Sequence, residues 1–136
     1  MIEEKTPVVE SKELLYRGKT LDELKALDVR EVAKFLPSRS RRTLLRNFAE
    51  TEKFIQRCEK KLERKKKIKT HLRDIVIVPK LVGMMIGIYS GKLFQDITIT
   101  HEMIGHRLGE FVPTRTKVNH GSAGIGATKS SRAQKK

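Results

Sequence analysis

Charge in this chain is gathered into blocks, and that distribution restricts its architecture more than any other feature. Residues 1–36 carry 7 basic and 8 acidic side chains, residues 37–69 carry 13 and 4, residues 70–112 carry 4 and 4, and residues 113–136 carry 6 and none. Cations cannot be packed together in a core, so the neutral block with its dense β-branched residues is expected to form a compact body. The middle block and the C-terminal block read as basic appendages to it. The sum is a net charge of +14 over 136 residues. Self-repulsion of that size destabilises a compact protein unless a polyanion relieves it, which makes nucleic acid the expected partner class.

Length allows one domain rather than two, and a hydrophobic content of 38% implies a modest core. The longest apolar run, Leu81 to Tyr89, has nine residues, against the roughly 20 needed to span a bilayer. No membrane role is expected. The acidic start Met1-Ile2-Glu3-Glu4-Lys5 lacks the features of a secretory signal. Cys58 has no second cysteine to pair with, so a buried structural thiol in a reducing, cytoplasmic setting is expected.

Two capping boxes, Thr20 with Glu23 and Asp28 with Glu31, predict short helices over about 21–27 and 29–36, the second closed by Pro37. Leu44, Leu45, Phe48, Ile55, Cys58 and Leu62 then recur at helical spacing, predicting helix from about residue 38 to 67 with a break near Asn47. Asp74 to Val78 reads as a buried strand stopped by Pro79. Met85–Tyr89 and Leu93–Thr100 flank Ser90-Gly91-Lys92 as a hairpin. A helical turn at 101–104 follows, with Thr100 as its cap and Gly105 as its stop. The expected class is α+β: a small three-stranded, mostly antiparallel sheet with short helices and a long basic N-terminal helical region. The expected organisation is a flexible start over 1–15, a helical basic extension over 16–69, an α+β core over 70–112 and a flexible Gly/Ser-rich basic tail over 113–136.

Catalytic motifs are incomplete. His101-Glu102 and His106 stand five apart, about 140° around a helix, whereas the zinc-protease pattern needs i and i+4, and Gly105 intervenes. The glycines at 121, 124 and 126 lack the Lys-Ser/Thr pair that must follow a phosphate loop. Cys58, His71, His101, His106 and His120 match no nucleophile and base signature. No enzyme, metal, cofactor or small-molecule substrate is expected.

The basic cluster is more informative. Arg39, Arg41, Arg42 and Arg46 crowd eight residues without an acid among them, and arginine's planar fork suits phosphate oxygens. Lys60, Lys61 and Arg64 extend the cationic surface, in competition with pairing to Glu50, Glu52, Glu59 and Glu63. Aromatics are only 5%, with no Trp, which argues against a base-stacking platform. Phosphate and shape recognition of folded RNA is the expected mode, with a chromatin-like DNA-binding protein as the alternative.

The stretches Val82-Gly83-Met84-Met85-Ile86-Gly87-Ile88-Tyr89-Ser90-Gly91-Lys92, His101 through Phe111 with its Gly105-His106-Arg107-Leu108-Gly109-Glu110-Phe111, and Pro113-Thr114-Arg115 resemble the universal small-subunit ribosomal protein nineteen family. Tyr16-Arg17-Gly18, the Arg41-Arg42 region, Lys69 to Asp74 and His120 to Thr128 are similar to its archaeal and eukaryotic branch, numbered fifteen in eukaryotes. The chain departs from the bacterial pattern in a longer 69-residue N-terminal region and a more apolar segment before Pro79. The resemblance implies a structural ribosomal protein of the small-subunit head, bound to the 3′ major domain of the rRNA beside proteins thirteen and fourteen. It further implies a role in head assembly and a tail that reaches toward decoding-site tRNAs. By position it implies RNA contacts at Lys92, His106, Arg107, Arg115, Lys117 and His120, with Gly105 and Gly109 shaping the backbone between them. Lys129 and Arg132 of the basic tail are expected to bind RNA as well, and Gly83 and Gly91 to have structural roles.

Overall fold

The computed structural model describes residues 15–118. Thr20 opens α1 (Leu21–Ala26): its hydroxyl accepts from the Glu23 N–H at 3.4 Å, and the Glu23 carboxylate accepts from the Thr20 N–H at 3.4 Å. Asp28 precedes α2 (Val29–Val32) but makes no side-chain cap hydrogen bond, so the second expected box is only a sequence pattern. A 3-10 turn over Ala33–Phe35 completes this helical stretch ahead of Pro37. The long helix is two helices, α3 (Ser38–Arg46) and α4 (Phe48–Glu63), hinged at Asn47, whose φ of −104° and ψ of 31° leave the helical region. The second ends before the expected limit at 67, because Lys65 turns the chain into β1 (Ile68–Thr70). Leu45 and Leu62, expected on the buried stripe, are exposed. Leu45 lies outside the arc of α3 that faces the body, and Leu62 projects from the last turn of α4.

The sheet order is β1-β2-β3, with β2 Met85–Tyr89 and β3 Phe94–Thr98. The hairpin pairs antiparallel, Tyr89 opposite Phe94 and Met85 opposite Thr98. β1 pairs with β2 in parallel, Ile68 opposite Ile86 and Thr70 opposite Ile88. The α+β class therefore holds, and the three-stranded sheet is mixed rather than mostly antiparallel.

The expected strand at 74–78 is the crossover that a parallel pair requires. Ile75, Val76, Ile77 and Val78 are all buried, but their backbone partners lie in the 105–109 segment instead of the sheet. The Ile77 N–H donates to the His106 carbonyl at 2.8 Å, Gly105 N–H to the Ile77 carbonyl at 3.0 Å and Leu108 N–H to the Ile75 carbonyl at 3.1 Å. An apolar run buried on both faces has no alternation to reveal its partner. Short 3-10 turns at Pro79–Leu81, His101–Met103 and Leu108–Phe111 carry the chain around this segment. Thr100 precedes the second of these without a side-chain cap bond.

One core joins all of these elements. Val29, Val32 and Leu36 from the first helices, Leu44 from α3 and Phe54, Ile55 and Cys58 from α4 pack with Ile77, Ile86, Ile88, Leu108 and Val112. The basic helices thus contribute a large share of the apolar interior rather than standing off it. The boundary expected between 69 and 70 falls inside β1. Most of the N-terminal segment expected to be flexible, and the tail from 119 onward, lie outside the described residues.

Candidate nucleic-acid interface

At 100° per residue, Arg39, Arg42 and Arg46 fall within about 60° of one another on α3. All three are exposed, and the opposite side is held down by buried Leu44 and by the Ser40 hydroxyl, which donates to the Gly105 carbonyl at 2.6 Å. Core burial therefore aims this arginine face at solvent. Arg41 is rotated away from it. Its Nε donates to the Ala33 carbonyl at 3.0 Å, and its Nη2 donates to the Lys34 and Leu36 carbonyls at 2.9 and 3.2 Å. These carbonyls end the preceding helical stretch, where a cation is electrostatically favoured.

On α4, Lys53, Gln56, Arg57 and Lys60 recur at spacings of three and four, and Arg64 follows in phase just past the helix. They form an exposed ridge, with Lys61 half-buried to its side. The ion pairs among the described residues are Lys67 with Asp96 and Arg107 with Asp74, and the His106 ring also lies against the Glu110 carboxylate. None joins a glutamate of α4 to a cation of the same helix, so the self-paired arrangement is not formed. Cys58, on the inner face of α4, is a free thiol whose pKa burial raises to about 11.

Other expected contact residues are scattered around this body. Lys92 is exposed at the hairpin tip, where Gly91 has a φ of +99°. His106 is exposed, with Nδ1 2.7 Å from Oε2 of Glu110. Arg107 is half-buried and donates from Nη2 to the Thr43 hydroxyl at 3.2 Å, tying the 105–109 segment to α3. Arg115 and Lys117 are exposed beyond the last turn, and His120, Lys129 and Arg132 lie outside the described residues. Gly83 has a φ of +90°. Gly105 combines a φ of +86° with tight packing, since a Cβ there would meet Cδ of Pro37 at 3.2 Å and the Tyr16 hydroxyl at 3.3 Å. At Gly109 a Cβ would meet the Arg73 carbonyl oxygen at 3.1 Å.

Arg73 is the residue that sequence reasoning missed. Its guanidinium donates to the Tyr89 carbonyl at 2.6 Å, to the Gly109 carbonyl at 2.8 Å and to the Val112 carbonyl. One cation thus ties the end of the hairpin to the last 3-10 turn. A lone arginine in a near-neutral block offers no signal of such a role.

Among the described residues there is no group of three or more metal-ligating side chains and no helix long and apolar enough to cross a membrane. The arrangement offers exposed cations on a rigid support, which suits binding of phosphate oxygens.

The family model described as Ribosomal protein S19 matches residues 41–120. The chain is 46% identical over 127 residues to a small ribosomal subunit protein uS19 of Halorubrum lacusprofundi, with 90% of each chain covered. It is 48% identical over 120 residues to a protein of the same description from Methanocella arvoryzae, covering 88% of this chain and 84% of that one. With the family model matching more than half its length and relatives at this identity covering nearly all of it, the chain belongs to the ribosomal protein S19 family.

Proposed function

We propose that the chain is a non-catalytic, structural constituent of the small ribosomal subunit that binds small-subunit rRNA through its cationic helices. The observation that carries this reading is the arginine face of α3, Arg39, Arg42 and Arg46, presented by a packed helix in a member of a ribosomal family. Arginine forks hold phosphate oxygens bidentately, and a fixed helix sets their register without further ordering of the backbone. The α4 ridge of Lys53, Lys60 and Arg64 extends the same attraction, and Lys92, Arg115 and Lys117 supply contacts elsewhere, while Arg107 ties the 105–109 segment to α3. Arg41 acts here mainly as an internal clamp.

The family resemblance supports the finer assignment: the subunit head and the 3′ major domain of its RNA, beside proteins thirteen and fourteen, in the cytoplasm. On this reading the protein helps assemble the head. The tail, with His120, Lys129 and Arg132, reaches toward tRNAs at the decoding site.

Sedimentation of the tagged protein from lysate tests the proposal. Comigration with small subunits that survives high salt and is lost after ribonuclease is expected. A protein that stays at the top of the gradient in every condition refutes it, and preference for duplex DNA over structured RNA at matched salt would favour the chromatin-like alternative.

A further inference from the structure

The outer face of the sheet carries side chains that the arginine surface does not explain. Successive strand residues point to opposite faces, so Ile68 and Thr70 of β1 and Ile86 and Ile88 of β2 face the core. Lys69, Gly87 and Asp96 form a row across the other face. His71, one residue past β1, continues that face alongside the Tyr89 and Phe94 pair. The three rings touch: centroids are 4.5 Å apart for His71 and Tyr89, 5.0 Å for His71 and Phe94, and 5.1 Å for Tyr89 and Phe94. His71 is exposed and the other two are half-buried. Nζ of Lys69 lies 5.3 Å from the centroid of Phe94.

Resting on the rRNA-binding reading, we propose that this His71, Tyr89 and Phe94 cluster is a stacking site for an unpaired RNA base. An aromatic surface beside cations matches the two parts of a nucleotide, a flat base and a charged phosphate. Along the sheet face and its hairpin tip the charges are Lys67, Lys69 and Lys92 against Asp96, which sits 3.9 Å from Lys67, while Glu50 and Asp74 line the cleft on the far side of His71. The rings are also held in place. The Tyr89 hydroxyl donates to the Gly91 carbonyl at 2.8 Å, and Arg73 grips the Tyr89 carbonyl at 2.6 Å. Gly87 keeps the middle of the face low, since a Cβ there would meet Oδ1 of Asp96 at 2.7 Å. His71 also lines a cleft of about 470 Å³ whose other wall includes Thr43 and Asn47 at the α3–α4 hinge. Low aromatic content argued against such a site, yet a local cluster of three rings suffices for one base.

The test measures binding of the full chain to a single-stranded adenine decamer and to the same decamer with its central bases removed. A folded small-subunit rRNA fragment is titrated in parallel. The intact decamer is expected to bind about tenfold more tightly than the abasic one. His71→Ala, at an exposed position, is expected to lower that preference several-fold, and His71→Phe to keep it because a ring face remains. Phe94→Ala, checked for folding by circular dichroism, is expected to act like His71→Ala. A wild-type chain that binds the folded fragment but does not distinguish the two decamers overturns the stacking site and leaves the rRNA reading standing. So does a preference unchanged in both alanine variants, which would mean the bases are read elsewhere on the chain. Failure of the wild-type chain to bind any of the three RNAs overturns both proposals.

Discussion

Arg41 and Arg42 are adjacent arginines with opposite expected phenotypes. Arg41 makes three charge-assisted hydrogen bonds to the carbonyls of Ala33, Lys34 and Leu36, at 3.0, 2.9 and 3.2 Å. Fully buried, each such bond contributes roughly 1.5–3 kcal/mol. Arg41 is exposed, so water replaces part of what is lost, and Arg41→Ala is expected to destabilise the protein by about 2 kcal/mol in total. In a chain of 136 residues that lowers the melting temperature by roughly 7 °C. Arg42 has no side-chain hydrogen bond or ion pair with the described residues, so Arg42→Ala should stay within about 0.5 kcal/mol of the parent.

RNA binding across a salt series should reverse the order. Each phosphate contact removed reduces the slope of log affinity against log salt by about 0.7–0.9. Arg42→Ala is expected to show that reduction, while Arg41→Ala measured below its melting transition keeps the parental slope. Arg41→Lys should recover little stability, because one ammonium cannot reproduce the two-nitrogen fork that reaches three carbonyls. The reasoning fails if Arg41→Ala melts like the parent and loses a unit of slope, since the guanidinium would then be facing phosphate in solution.

Arg73→Lys is expected to destabilise by about 3 kcal/mol or more, leaving carbonyls of Tyr89, Gly109 and Val112 without their donor; urea denaturation measures this. Gly105→Ala should cost about 2 kcal/mol, from a left-handed backbone and a Cβ 3.2 Å from Cδ of Pro37, and thermal melts should show it against a near-neutral change at an exposed helical site such as Ala49. Cys58, 1% exposed with its pKa raised to about 11, should resist thiol reagents at pH 8 until the protein unfolds. Its raised folded pKa makes its contribution to stability complete below pH 9 and progressively lost as pH rises from 9 through 11, which melts at high pH will register against Cys58→Ala.

Local signals in the sequence were legible where the interaction itself is local. The Thr20 and Glu23 box forms as its spacing predicts, and the hairpin around Gly91 forms with a second strand, Phe94–Thr98, shorter than the expected 93–100. The 74–78 segment was legible as buried but not as to its partner, because pairing with 105–109 is set by tertiary packing. β1 was missed for a related reason: Ile68, Lys69 and Thr70 are three residues in a lysine-rich stretch, ordered by the edge of β2. For the candidate interface, residue type could be read but direction could not. One residue along a helix turns a side chain by about 100°, enough to send Arg41 to carbonyls and Arg42 to solvent. The ring cluster draws on His71, Tyr89 and Phe94 from three strands' ends, so no short window contains it.

The division among the arginines also bears on how such a surface would bind. Arg41, Arg73 and Arg107 already hold backbone carbonyls or the Thr43 hydroxyl, so the elements they join are fixed before any partner arrives. Arg39, Arg42 and Arg46 then stand on a helix whose position is set by Leu44 and Ser40. Binding has to order their side chains but not the backbone beneath, and immobilising a long side chain costs only about 0.5–1.5 kcal/mol, less than a charged contact returns. A surface built this way loses affinity by two separable routes. Removing an outward arginine weakens phosphate contact at constant stability, whereas removing an inward one loosens the support and weakens several contacts together.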